Sequence, residues 1–236
     1  MVDEQGRRLP RSLVHHAQLW RKEKQGPAAI LMGVAAEFAT AKFPPGYGIP
    51  VRAGESLEWE CMFANPFLRD YRQAYLDIEG HLRLRRGDVP DLKSVHLIRL
   101  TVDTPPDYTG PGEIYGYMVP PGVNERSRIV HFPFSGVVVM MGAHLHPYAE
   151  WLRLERTDTG EVVWRGLATP DADGDWLRSP QWSSAAGWHV SASEPFRLVA
   201  RYNNTTSQPI AAMGIFGAYI HPDDAAATPW EIGQAN

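Results

Sequence analysis

The chain of 236 residues has a single cysteine, Cys61, so no intramolecular disulfide can form. An isolated thiol fits a reducing compartment. Long hydrophobic runs are missing as well: no stretch reaches the roughly 18 apolar residues of a membrane span. The opening segment "MVDEQGRRLPRSLVHHAQLW" has no apolar core of the kind a secretory leader carries. The expectation is a cytoplasmic protein if the chain is full length, and a secreted or periplasmic one if a leader was trimmed. There is no surplus of positive charge either. Lys and Arg number 23 against 27 Asp and Glu, for a net charge of −4. That balance argues against a nucleic-acid-binding surface. No G-x-S-x-G, phosphate-binding loop or G-x-G-x-x-G is present, which removes the commonest hydrolase and nucleotide-binding signatures.

What is plentiful is turn chemistry. Twenty prolines and 21 glycines punctuate short runs of β-type composition, such as "SLEWECMFANP", "SVHLIRLTVD", "GVVVMMGAHLHP", "FRLVARYNN" and "AAMGIFGAYIHP". Many short strands between turn signals predict an all-β protein of antiparallel sandwiches. The Pro- and Gly-rich stretch "TPPDYTGPGE", residues 104–113, is the best boundary, giving halves of 1–108 and 109–236. The alanine-rich "AAILMGVAAEFATA", residues 28–41, reads as either a strand or a short helix.

Within "GVVVMMGAHLHP", His144 and His146 are separated by one residue. Strand side chains alternate between faces, so both imidazoles project from one side. That geometry serves two metal ligands, or two imidazoles that merely share a strand. Met213 lies in another β-like run, where a methionine ordinarily fills core gaps. If it converges with the histidines, two imidazoles and a thioether select copper, because thioether sulfur suits Cu(I). His15 and His16 are adjacent, so they reach one metal only where the backbone bulges; otherwise they are a solvated pair. His96 and His131 are expected in or beside the core, and His81, His189 and His221 near exposed turns. "DADGDW", residues 171–176, is a polar turn rather than a calcium loop, since its twelfth position is Trp182.

Taken in order, these pieces resemble the two-copper, ascorbate-dependent monooxygenases, the family of peptidylglycine α-hydroxylating and dopamine β-monooxygenases. "LVHHAQLW" is similar to that family's His-His strand, and "FPPGYGIPVRAGE" to its following segment. "SVHLIRL" resembles the strand closing its first half, and "YMVPPG" the entry to the second. "GAHLHPYAEWLRL" and "AAMGIFGAYI" are similar to the strands carrying His-x-His and the methionine ligand. The resemblance is collinear from residue 13 to about 222.

The resemblance implies two tandem jelly rolls, the first one short, with one copper on each. His144, His146 and Met213 would form the oxygen-activating site. His15 and His16 would contribute to an electron-delivery site, supplied by an external reductant such as ascorbate. Asn65 stands where the family has a third histidine, so that second site is expected to be incomplete, with Cys61 the nearest soft group. Gly142, Ile215 and Gly217 lie two or four positions from ligands, on the same strand faces. In peptide-amidating members the corresponding positions carry polar residues that grip a carboxylate, and none of these three does. The expected activity is therefore a copper-dependent oxidoreductase acting with dioxygen on an uncharged small molecule. The alternatives are a non-catalytic copper-binding protein with one site and a jelly-roll binding module.

Overall fold

The computed structural model describes residues 1–22, 29–35, 38, 40–65, 67–84, 91–105, 115–170, 177–179 and 181–224. A 3-10 turn, Arg11–Leu13, leads into β1 (Val14–Lys22). β1 is the middle strand of a small antiparallel sheet, between β2 (Ala29–Ala35) and, beyond the short β3 (Tyr47–Gly48), β4 (Ser56–Phe63). The stretch left open between strand and helix is thus a strand over Ala29–Ala35. Ladder bonds to β1, from His16–Ala35 to Arg21–Ala29, override the helical preference of its alanines. β3 pairs in parallel with β5 (Lys93–Ser94).

Eight further strands build two facing four-stranded sheets: β6 (His96–Thr101), β8 (Gly122–His131), β9 (Gly136–Leu145), β10 (Ala149–Arg156), β11 (Val162–Leu167), β14 (Trp182–Val190), β15 (Pro195–Asn204) and β17 (Gly214–Pro222). One sheet has the order β14-β9-β17-β6 and the other β11-β10-β15-β8. Numbered along the chain, the first, eighth, third and sixth strands share one sheet, and the second, seventh, fourth and fifth share the other. This is the jelly-roll arrangement. Two-stranded ladders pair β7 (Tyr117–Val119) with β16 (Ile210–Ala212), and β12 (Thr169–Pro170) with β13 (Leu177–Arg178).

Alternation explains the core. On β17, Gly214, Phe216, Ala218 and Ile220 turn inward. From β9, Met141, Ala143 and Leu145 join them, with Ile98 and Leu100 from β6. Opposite stand Leu152, Leu154, Phe196 and Leu198. Aromatic rings close the middle, Trp164 packing on Phe216 at 5.1 Å and Phe132 on Phe196 at 5.5 Å. The other face of this sheet carries His144, Gly142, Ile215, Gly217, Leu97 and Arg99, turned toward the N-terminal sheet.

The division expected at residue 108 lies outside the described residues, as does the 171–176 turn. β6, placed by the sequence reading in the first half, pairs along its length with β17. It belongs to the second half's sandwich because Ile98 and Leu100 fill that core. Among the described residues, no helix is long and apolar enough to cross a membrane.

Candidate metal centre

Both His144 and His146 leave the end of β9 on the outward face. His144 is buried at 8% exposure. The ladder pairs Ile215 with His144 and Gly214 with Leu145. Continued by one residue, it sets Met213 across from His146. A single hydroxyl ties these two positions together: Tyr202 Oη accepts from the His146 N–H at 3.0 Å and donates to the Met213 carbonyl at 2.5 Å. Tyr202 is itself buried, which raises its phenol above the ordinary range. On the other side of Met213, the Asp103 carboxylate accepts from the N–H groups of Gly214 (2.8 Å) and Gly116 (2.9 Å). The methionine's backbone is held from two directions.

The His-His pair arrives from the opposite wall. In the pairing of β1 with β4, the register shifts between Val14 and His16, so a bulge sits at His15. A bulge breaks strand alternation and re-aims the side chain. Here both imidazoles come to the same region: His15 lies 5.0 Å from His16, 5.5 Å from His144 and 4.9 Å from His146, ring centre to ring centre. His144 and His146 are 5.3 Å apart, and His16 is 6.2 Å from His144. One ring nitrogen from each of His15, His144 and His146 lies within 4.8 Å of the others.

Three imidazoles bound to one ion at about 2.05 Å in tetrahedral geometry have nitrogens about 3.3 Å apart. The set therefore needs an inward adjustment on the order of 1 Å, within the reach of small ring rotations. His146 is ready for such a role. Its Nδ1 faces the Ala211 carbonyl at 3.2 Å, which selects the tautomer with Nδ1–H donating and the Nε2 lone pair available. That Nε2 is buried with no hydrogen-bond partner. Burial, reinforced by His144 and then by His15 and His16, pushes the His146 imidazole down to about 4, against the opposing Ala211 hydrogen bond. It is neutral at physiological pH, as a metal ligand must be.

The structure thus brings His15, assigned by resemblance to one copper, together with His144 and His146, assigned to another, while His16 lies beside the group. Asn65 does not complete a separate site: its amide accepts from the Phe67 N–H and donates to the Arg69 carbonyl, holding a local turn. Cys61 is a free thiol opposite Ala17 on β4, its pKa raised by burial and by Glu60. It is outside the histidine group. Of the remaining histidines, His96 is buried, whereas His131, expected in or beside the core, is exposed where β8 ends. His189 is exposed beside Asp223, and His221 is half-buried, with Nδ1 2.9 Å from the Ser94 carbonyl.

A cavity of about 330 Å³ opens beside the histidines, between the N-terminal sheet and the β14-β9-β17-β6 sheet. His144, Met213, Gly142, Ile215 and Gly217 all line it. So do groups the sequence reading did not connect: His16 and Trp20 from β1, Glu60 from β4, Arg99 from β6, and Gln181 just before β14. Gly142, Ile215 and Gly217 bring no charge to the cavity, whereas Arg99 and Glu60 do. Arg99 reaches it because β6 pairs with β17, a long-range adjacency that local spacing does not reveal.

No family model matches the chain, and no curated protein matches it. Among solved structures, one match is titled "Structure of infectious bursal disease virus Gx strain". It is 10% identical with a TM-score of 0.24, and the alignment covers 90% of this chain and 56% of that one. A likeness at that level carries no argument about function.

Proposed function

We propose that this protein is a copper-dependent oxidoreductase of the monooxygenase kind, acting with dioxygen and an external reductant on a small molecule held in the cavity beside the histidines. The observation that carries the reading is the convergence of His15, His144 and His146 to within 4.8 Å, beside a cavity lined by Met213. Imidazole alone would suit zinc, iron or copper; the thioether shifts the preference toward copper, and toward Cu(I) in particular. Copper, when bound there, supplies one-electron chemistry and an open coordination position.

The chain's own contributions are distinct from that. The Ala211 carbonyl fixes the His146 tautomer. Tyr202 locks His146 to Met213, and Asp103 anchors the start of β17 at Gly214. Ile215, Trp20 and Met213 give the cavity an apolar stretch of wall beside His144.

A second reading, a non-catalytic protein holding one copper, is favoured by one observation. His15 joins His144 and His146, and among the described residues there is no second group of three metal-ligating side chains that could store an electron. One experiment separates the two readings: copper content is measured, and oxygen uptake is then followed with ascorbate and candidate substrates. Copper binding with substrate-dependent oxygen uptake supports the oxidoreductase. Copper binding without it supports the carrier, and no retention of copper removes both.

A further inference from the structure

Across the outward face of the jelly-roll sheet, one row of residues runs along the hydrogen-bonding direction. Arg99 on β6 pairs with Gly217 on β17, and Gly217 pairs with Gly142 on β9. Trp182 pairs with Met141 in the next strand, so Gln181 falls across from Gly142. A Cβ placed on Gly142 would meet the Gln181 side chain at 3.5 Å, and one on Gly217 would meet only Leu97 Cδ1 and the Gly142 carbonyl, at 3.9 and 4.0 Å. All four residues line the cavity. Its floor is bare backbone, with a guanidinium at one end and a carboxamide at the other.

Arg99 is half-buried, and its one recorded partner is the Tyr115 ring, 5.1 Å from Cζ. Among the described residues it forms no ion pair. Glu60 also lines the cavity, but from the opposite sheet, where it is exposed to solvent and is not paired with Arg99. Gln18 and Gln181, also on the walls, are uncharged carboxamides. The guanidinium is a planar fork of N–H donors by its own delocalisation, a contact with an aromatic ring leaves those donors available, and the fork matches a carboxylate in bidentate fashion.

From the cavity, this row and the unpaired guanidinium, we infer that the cavity binds small organic carboxylates. The carboxylate group meets Arg99, and the apolar body lies over Gly217 and Gly142 toward His144, between Ile215 and Trp20. Neighbouring strands are about 4.8 Å apart, so the β6 and β9 backbones are separated by about 10 Å, a span a six- to nine-carbon acid can bridge. The inference deepens the proposed function by naming its substrate class. It rests on that reading only for the fate of the ligand, since binding needs no copper.

The test is therefore run on the full-length protein with and without copper. Binding of benzoate, hexanoate and 3-phenylpropionate is compared with that of their primary amides by calorimetry. The metal-free protein is expected to prefer each acid to its amide. Arg99→Gln should lower acid affinity about 10- to 100-fold, the size of a lost charge-assisted contact, and leave amide affinity unchanged. Arg99→Lys should retain part of the preference. Circular dichroism of each variant confirms that the fold is kept. Equal affinity for acids and amides across the three pairs overturns the inference, as does an acid preference that survives Arg99→Gln. Carboxylate binding that persists in protein unable to hold copper sustains the inference while removing the proposed function.

Discussion

The number of copper ions per chain is the sharpest quantity the histidine cluster sets. The perturbation is copper loading past one equivalent, in wild type and in His15→Ala and His146→Ala. With ligand nitrogens within 4.8 Å of one another, two ions that share these ligands would lie about that distance apart. At an effective dielectric of about 20, two Cu(I) ions at that spacing repel by about 3.5 kcal/mol, and two Cu(II) ions by about 14. Compact two-metal sites offset such repulsion with anionic ligands, whereas the described members of this cluster are all histidines. The second Cu(I) should thus bind about 300-fold more weakly than the first, and a second Cu(II) not measurably. Anaerobic titration against a chromogenic Cu(I) chelator, followed by metal analysis after desalting, gives the stoichiometry. The expected result is one tight equivalent in wild type and loss of that same equivalent in either variant. Two equivalents of similar affinity would refute the reasoning. So would a His15→Ala protein that loses one ion while keeping another that depends on His144 and His146.

Met213→Leu should weaken Cu(I) at least tenfold while changing Cu(II) little, as read by the same chelator competition; equal losses for both ions would show that the thioether is not a ligand. Tyr202→Phe removes the hydroxyl between His146 and Met213, so urea unfolding should show a loss of about 1–3 kcal/mol, accompanied by weaker copper retention. Unchanged stability would mean that the bridge carries no weight. His96 is driven down from 6.5 to about 4, first by burial and then by Arg21 and His221. A depressed imidazole leaves the unfolded chain binding the proton first, so this contribution is whole above pH 6.5 and is lost as pH falls toward 4. It is worth about 3 kcal/mol in all. In metal-free protein, His96→Gln should flatten that part of the stability profile, and an unchanged slope between pH 6.5 and 4 would dismiss the assignment.

What the sequence could show depended on range. The shared face of His144 and His146 follows from period-two geometry within three residues, and so was legible directly. The all-β class was legible from turn residues spaced between β-branched and aromatic runs. His15 is different: its direction depends on a bulge created by how β1 registers against β4, some 45 residues away, and no local pattern encodes that slip. Arg99 was missed for the same reason. "SVHLIRL" reads as a plain alternating strand, and only its pairing with β17 brings the guanidinium over Gly217. Asn65 shows the reverse error. Collinearity suggested a ligand position, but its amide is committed to a turn with Phe67 and Arg69.

The place of β6 at the edge of its sheet also governs how the chain can be divided. A piece starting at residue 109 would carry seven of the eight sandwich strands and leave the backbone edge of β17 open. Such an edge is a template for any strand that fits. The piece would lack Ile98 and Leu100, two residues buried to 6% and 7% exposure, and the missing strand could be restored only in trans. A peptide spanning His96–Thr101 supplied from outside would complement it, and at high concentration two intact chains could exchange the same strand. The histidine cluster would then be assembled across two polypeptides, with copper reporting on the exchange.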